Sequence, residues 1–400
     1  MIRPFCYPLY PNKAEEAKLL HYLWACCSLY NGALQERHTA WKKLRLSISL
    51  YDQMESLTEI RANDPMWAAI PVHVLRSALR RLNLAFEAFF KGRVAGQPSG
   101  YPHFKAWKNY DSFDCGSNAV TVRENCVNIP KIGFVKFNLY RPLRGKVLRV
   151  IVKREAGKWF VTFQCDVGAA PTPLDIAIVP DERAVGIDVG IAHLATLSNG
   201  EHIENPRYGN KSAVALANRQ RSFERKRKGS KSRERAKLLI RKAYIKITNQ
   251  RKNTAWIVAG DLVRRFDLIA YERLNIARMV HGNLAKAIYD VSWGRLTHYI
   301  DCKAEEAGKL AIAVDPRRTS QECSGCGAIV KKKLSVRVHS CPECSLVIDR
   351  DENAAINIAF RVLGRSTVTK FAHKANKARS PKVSKVKSKN SDVVADDVTA

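Results

Sequence analysis

Apolar positions along the chain change their period several times, and the changes divide it. The first ten residues, MIRPFCYPLY, carry aromatic and β-branched side chains and stop at PNK, which predicts a strand. From about residue 15 to 90 apolar residues recur every three or four positions. AKLLHYLWACCSLYNGAL shows this, HVLRSALRRLNLAFEAFF shows it more clearly, and both predict helices. Residues 92–100 break the pattern. NAVTVRENCVNIP, KIGFVKFNLY and KVLRVIVKREAGKWFVTFQCDV then alternate apolar and polar residues around turn signals such as REAGKW. That is the pattern of a small antiparallel β unit, which the opening strand can join. GAAPTPLDIAIVPDE (168–182), with three prolines, reads as a linker.

Beyond the linker, strands alternate with helices. AVGIDVGIAHLATLSNGEHI predicts consecutive strands turning at Asn199-Gly200, and a long basic helical region follows. FDLIAYERL reads as a buried strand, AIYDVSWGRLTHYIDCKAEEAG as helix, KLAIAVDP as a strand and ENAAINIAFRVLG as a last helix. The order implies an α/β domain interrupted by insertions. The tail after Arg365 has eight Lys or Arg residues and few large apolar ones, the composition of a disordered segment.

Four hundred residues with 46% hydrophobic content suit two or three domains. The charge changes the picture more. With 68 Lys and Arg against 37 Asp and Glu, the net charge is +31, and self-repulsion on that scale calls for a polyanionic partner such as nucleic acid. A membrane surface would share the attraction. No apolar run is long enough to span a bilayer, and MIRPFCYPLYPNK turns charged too soon for a signal peptide, so a soluble cytoplasmic protein is expected. Seven of the eleven cysteines (Cys6, Cys26, Cys27, Cys115, Cys126, Cys165, Cys302) are scattered, as suits reduced and mostly buried thiols.

The other four stand in register. CSGC (Cys323, Cys326) and CPEC (Cys341, Cys344) are two C-x2-C knuckles fourteen residues apart. Two knuckles complete a tetrahedral zinc site, and four thiolates leave no open position, so the ion is structural. A disulfide pair or a redox C-x-x-C suits four such cysteines in an intracellular chain poorly.

Three carboxylates sit where charge is costly. Asp188 lies inside the apolar VGIDVG, and Glu272 ends LIAYE. Asp351, in DRDENAAIN just after the second knuckle, shares a helical stripe with Ala354, Ala355, Ile358 and Val362, whereas Asp349 points elsewhere. Singly, each acid reads as a helix cap or a satisfied ion pair. Together, in a basic protein, they suit divalent cations that activate water and stabilise the leaving oxygen of a phosphodiester.

GIDVGIAHLATLSNG, LIAYERLNI and the TSQECSGC, CPEC and DRDENAAINI run resemble the three RuvC-like motifs and zinc ribbon of the TnpB family. These are transposon-encoded RNA-guided DNA nucleases related to type V CRISPR effectors. LYPNKAEEAKLLHYLWACCSLYN, LAFEAFFKG and GYPHFK extend the resemblance over roughly residues 1–360. It implies an RNase H-like (RuvC) catalytic domain with an inserted zinc ribbon, preceded by an antiparallel β wedge carrying a helical recognition insertion. The expected boundaries are 1–12 and 116–170 for the wedge, 13–115 for the recognition domain and 171–182 for the linker. The nuclease domain takes 183–318 and 347–364, the ribbon 319–346, and the basic tail 365–400.

By matching positions, Asp188, Glu272 and Asp351 would hold two magnesium ions and cut double-stranded DNA beside a short flanking motif. The partners implied are target DNA and a guide RNA from the transposon end. Ser345 stands where the family has glycine, and Tyr244 with RKNTAW replaces a histidine-containing stretch. A compact type V effector, a nuclease-inactive guided repressor and an RNA-independent junction resolvase are the alternative readings.

Between residues 219 and 252 fifteen basic residues face two acidic ones. This is an expected phosphate-tracking surface, with Arg225, Lys226, Arg227 and Lys228 at its centre. In HVLRSALRR, Arg76, Arg80 and Arg81 are candidates for phosphates or guanine edges.

Overall fold

The computed structural model describes residues 1–95, 100–116, 120–282, 284–333 and 335–364. The tail expected to be disordered lies outside them. The chain forms two compact units, Met1–Ala170 with Arg219–Ala243, and Pro171–Asn218 with the residues from Tyr244 onward.

In the first unit, β1 (Ile2–Tyr10) leads into the helices α1 (Lys13–Leu44), α2 (Leu50–Asn63), α3 (Pro65–Ala68) and α4 (Val72–Val94). The strands β2 (Ser112–Asp114), β3 (Thr121–Arg123), β4 (Cys126–Ile129), β5 (Gly133–Phe137), β6 (Lys146–Glu155) and β7 (Lys158–Asp166) follow. Asn12 and Glu15 close a capping box that starts α1 where PNK ends the strand. The seven strands form one sheet in the order β2-β6-β7-β1-β5-β4-β3. Ala156 and Gly157, both at positive φ, make the tight β6–β7 turn expected from REAGKW.

Alternation sets the buried face: Phe5, Tyr7 and Leu9 from β1, and Trp159, Val161, Phe163 and Cys165 from β7. The helical stripes of α1 and α4 pack into the same hydrophobic core. The sheet also takes in Ser112–Asp114, expected in the helical part, because fully buried Phe113 pairs with Val152 of β6. Four of the seven scattered cysteines (Cys26, Cys27, Cys115, Cys165) are buried, and burial raises their thiols, Cys26 to about 12.

The second unit begins with a segment that is more than a tether. Leu174 donates its N–H to Gly308, and short 3-10 turns at Ile176–Ile178 and Asp181–Arg183 lead into the sheet. The strands β8 (Ala184–Val189), β9 (His193–Leu197) and β10 (His202–Glu204) form an antiparallel meander. Two long helices follow, α5 (Tyr208–Glu224) and α6 (Lys231–Arg265), and then β11 (Leu268–Glu272). After α7 (Ile276–Met279), α8 (Ala285–Val291) and α9 (Trp293–Ala307), β12 (Leu310–Val314) completes the sheet. A two-stranded hairpin, β13 (Val338–Ser340) and β14 (Val347–Asp349), runs directly into α10 (Arg350–Leu363).

The sheet order is β10-β9-β8-β11-β12, with β8, β11 and β12 parallel. Asp267 joins the starts of these parallel strands through paired hydrogen bonds from Arg183 at 2.9 and 2.8 Å and an ion pair with Lys309 at 2.9 Å. Residues 219–243, expected in this domain, group with the first unit instead. Glu234 pairs with Lys108 there, and Arg241 reaches Asn109.

Each face of this five-stranded sheet is covered. Val185, Ile187 and Val189 of β8 and Ile269 and Tyr271 of β11 share a core with α9 and the end of α6. The alternate residues, Ala184 and Gly186 of β8 with Leu268 and Ala270 of β11, face α10. Gly186 makes that contact possible. A Cβ there would lie 2.0 Å from the Ala355 carbonyl oxygen and 2.7 Å from the Ala359 nitrogen, so only glycine lets the helix backbone sit on the strand.

Gly186→Ala should therefore push α10 off the sheet, at a cost of at least the 1–3 kcal/mol typical of overpacking. Chemical denaturation followed through the second unit measures this; wild-type stability in the variant would show that the contact is not close.

Candidate functional site

Asp188 and Glu272 belong to the residues of β8 and β11 that face α10. Parallel register pairs Ala184 with Leu268 through Ile187 with Tyr271, and its next step sets Asp188 beside Glu272. Neighbouring strands lie about 4.8 Å apart, so the two carboxylates emerge together at adjacent strand ends. The helix that crosses this face over Gly186 carries Asp351 in its first turn.

The electrostatics agree with this convergence. Burial, then the charges of Glu272, Asp351 and Asp349, push Asp188 well above the usual carboxylate range, against the pull of Arg350. Burial also raises Glu272, against a hydrogen bond from Thr319 and the charge of Arg361. Asp351 pairs with Arg350 at 2.8 Å and Arg337 at 3.4 Å. Burial and like charge disfavour the ionised form of Asp188, and burial that of Glu272, penalties that a bound hard cation would offset.

Among the described residues, the four cysteines alone bring three or more His, Cys, Asp or Glu ligand atoms all within 4.8 Å of one another. The ligand atoms of Asp188, Glu272 and Asp351 do not all lie within 4.8 Å of one another.

Asp349 has a different task. It is the N-cap of α10, its carboxylate accepting the N–H groups of Asp351 at 2.8 Å and Glu352 at 3.1 Å. One acid of DRDENAAIN starts the helix and the other faces the sheet carboxylates.

The two asparagines of that stretch, which carried no prediction, are buried and hydrogen-bonded to the backbone. Asn353 donates to the Glu322 carbonyl at 2.8 Å and accepts the Ser324 N–H at 2.9 Å. Asn357 donates to the Thr319 and Glu322 carbonyls at 2.8 and 2.7 Å. Polar residues four apart on an otherwise apolar helix were the available signal.

The cysteine knuckles close as their spacing implies. Cys323 and Cys344 sulfurs lie 3.6 Å apart, as do those of Cys326 and Cys341. A tetrahedral site with Zn–S bonds of about 2.3 Å requires S···S separations of about 3.8 Å, so the set fits zinc. Burial raises the Cys341 thiol, but the backbone N–H groups of Cys344 and Glu343 and the neighbouring thiols outweigh it, bringing Cys341 down to about 7. Ser345 adopts φ +59° behind the second knuckle, the left-handed turn for which glycine is better suited.

The basic candidates divide. Arg225, Lys226, Arg227 and Lys228 are exposed in the turn between α5 and α6. Arg233 braces that turn, lying over the Phe223 ring and donating to the Phe223 and Lys226 carbonyls. Both acids of the stretch are paired, Glu224 with Arg233 and Glu234 with Lys108. On α4, Arg80 is exposed and Arg76 half-buried, while Arg81 is spent on the Tyr110 ring and the Ser112 hydroxyl.

Comparison with known proteins places the chain. Residues 171–282 match the family described as probable transposase (OrfB of IS605), and residues 293–358 match the Cas12f1-like TNB domain. A protein of Streptomyces pristinaespiralis named an RNA-guided DNA endonuclease is 32% identical over 89% of this chain and 88% of its own. InsQ of Escherichia coli K12, with the same description, is 28% identical over 89% and 91%. The solved structure of the mini-RNA-guided endonuclease CRISPR-Cas phi3 aligns over 91% of this chain and 93% of that one, with 9% identity and a TM-score of 0.49. The protein belongs to the TnpB family of RNA-guided DNA endonucleases.

Purified protein should carry about one zinc per chain, as a closed four-thiolate site implies. Cys341→Ser should lower that content sharply by elemental analysis; full content would rule out this ligand set.

Proposed function

We propose that this RNA-guided DNA endonuclease cuts both strands of target DNA by two-metal-ion hydrolysis, with Asp188, Glu272 and Asp351 as the ligands of two magnesium ions. The observation that carries the reading is the in-register placement of Asp188 and Glu272 on the sheet face that α10 crosses with Asp351. Bound there, the cations would supply an activated water at neutral pH and offset charge on the leaving oxygen.

The chain's own residues do the rest. Asp188, Glu272 and Asp351 would together hold the cations. Arg350 and Arg337 hold Asp351 in place, and their donors are suited to a scissile-strand phosphate. The sheet, a meander on one side of β8 and parallel strands on the other, supports an RNase H-like nuclease domain with residues 319–346 as its zinc ribbon.

The seven-stranded sheet of the first unit suits the wedge, with α1 to α4 as the recognition insertion. In this reading protein contacts, Arg80 and Arg76 among them, read a short flanking motif, and guide pairing reads the target. The exposed turn at Arg225–Lys228 tracks phosphate. The guide derives from the end of the chain's own transposon. A nuclease-inactive repressor is disfavoured because all three carboxylates are present and converge.

Single replacement of Asp188, Glu272 or Asp351 by Ala should abolish cleavage while target binding stays near wild type. Asp349→Ala should cost about 1 kcal/mol of helix capping and leave cleavage measurable. An essential Asp349 beside a dispensable Asp351 would overturn the assignment.

RNA held only by charge would be a heterogeneous mixture that salt removes. A guide held by shape and stacking should survive a high-salt wash as one predominant species, its variable 3′ end matching the DNA that is cut. Sequencing the retained RNA decides this. Random fragments with undiminished cutting by RNA-free protein would favour the junction resolvase.

A further inference from the structure

The lower turns of α10 present a polar stripe that the packing of a helix on a sheet does not require. Asn353, Asn357 and Arg361 stand four residues apart on one side of the helix. Asn353 and Asn357 are 0% and 2% exposed, so each amide costs free energy unless fully bonded. All three are spent on one stretch of backbone, residues 315–324, a run of turns with little ladder pairing of its own. Arg361 donates to the carbonyls of Asp315 and Arg317. Asn357 takes those of Thr319 and Glu322, and Asn353 takes Glu322 and the Ser324 N–H. At Thr319, Glu322 and Ser324 the helix thus supplies partners for buried or part-buried backbone groups.

The product of this arrangement is one side chain. Thr319, 3% exposed, donates its hydroxyl hydrogen bond to Glu272 Oε1. Asp351 is oriented by two guanidinium groups, but Glu272 forms no ion pair among the described residues.

We propose that Thr319 is a positioning residue for divalent-metal binding, presented to Glu272 by the Asn353, Asn357 and Arg361 stripe. The inference rests on the reading of Glu272 as a metal ligand. Partners that orient a ligating carboxylate cost 10–100-fold in metal affinity or activity when removed. The same backbone stretch runs into Cys323, so the zinc ribbon and Glu272 share an anchor on the helix that carries Asp351.

The test titrates Mn2+ into full-length protein, read by electron paramagnetic resonance, alongside the Mg2+ dependence of cleavage by the RNA-loaded protein. Thr319→Val should weaken Mn2+ binding, and raise the Mg2+ needed for half-maximal cutting, by about 10–100-fold. Thr319→Ser, which keeps the hydroxyl, should restore both, with zinc content unchanged. Thr319→Ala removes the same hydroxyl without placing a methyl group against the carboxylate, and reads the result if the valine variant folds poorly. Glu272→Ala separates the two levels of the account. If it binds Mn2+ and cuts as wild type does, the metal-ligand reading itself fails. If it loses both while Thr319→Val and Thr319→Ala match wild type, the positioning role is overturned and the ligand reading stands.

Discussion

The second unit depends on one close approach, the backbone of α10 against the backbone of β8 at Gly186. The missing side chain lets Ala355 and Ala359 sit on the strand, and the buried apolar run from Ala354 to Phe360 follows from that contact. Because the helix is fixed at this depth, its first turn lies over the ends of β8 and β11. Period-two alternation aims Asp188 and Glu272 at the same face. Three carboxylates whose outermost members stand 163 residues apart in the chain are thereby carried by two strands and one helix. Asp349 adds the cap that starts the helix one residue before Asp351 must stand.

A second consequence is that the carboxylates and the four-cysteine cluster are tied to the same helix. The cysteine segment enters α10 directly from β14; Asn353 bonds Ser324 of its first knuckle, and Asn353 and Asn357 both bond Glu322 just before it. Against the chain's net charge of +31 the acidic cluster is distinct: packing keeps the acids together, while arginines and lysines such as those at 225–228 stay exposed.

Much of this was legible in the sequence, for reasons of period and spacing. Carboxylates in apolar strands stand out because burial of charge is costly, and the knuckles stand out because two-residue spacing serves one ion. The face of Asp351 followed from helical geometry. Thr319, Asn353 and Asn357 were not legible as a set, since their bonds join residues 29 to 47 apart whose pairing only the fold creates. Arg81 looked like a nucleic-acid contact and is held by Tyr110, a partner the local pattern does not reveal. The placement of Phe113 in the β core was hidden because a three-residue strand is too short to show alternation.

The central claim is that the packing of α10 on β8 assembles a two-metal site. The direct measurement is an anomalous-scattering crystal structure of the protein with Mn2+. The account predicts two peaks about 3.5–4 Å apart beside Asp188, Glu272 and Asp351. A single peak away from these carboxylates, or none while the four-cysteine site is filled with zinc, would contradict it.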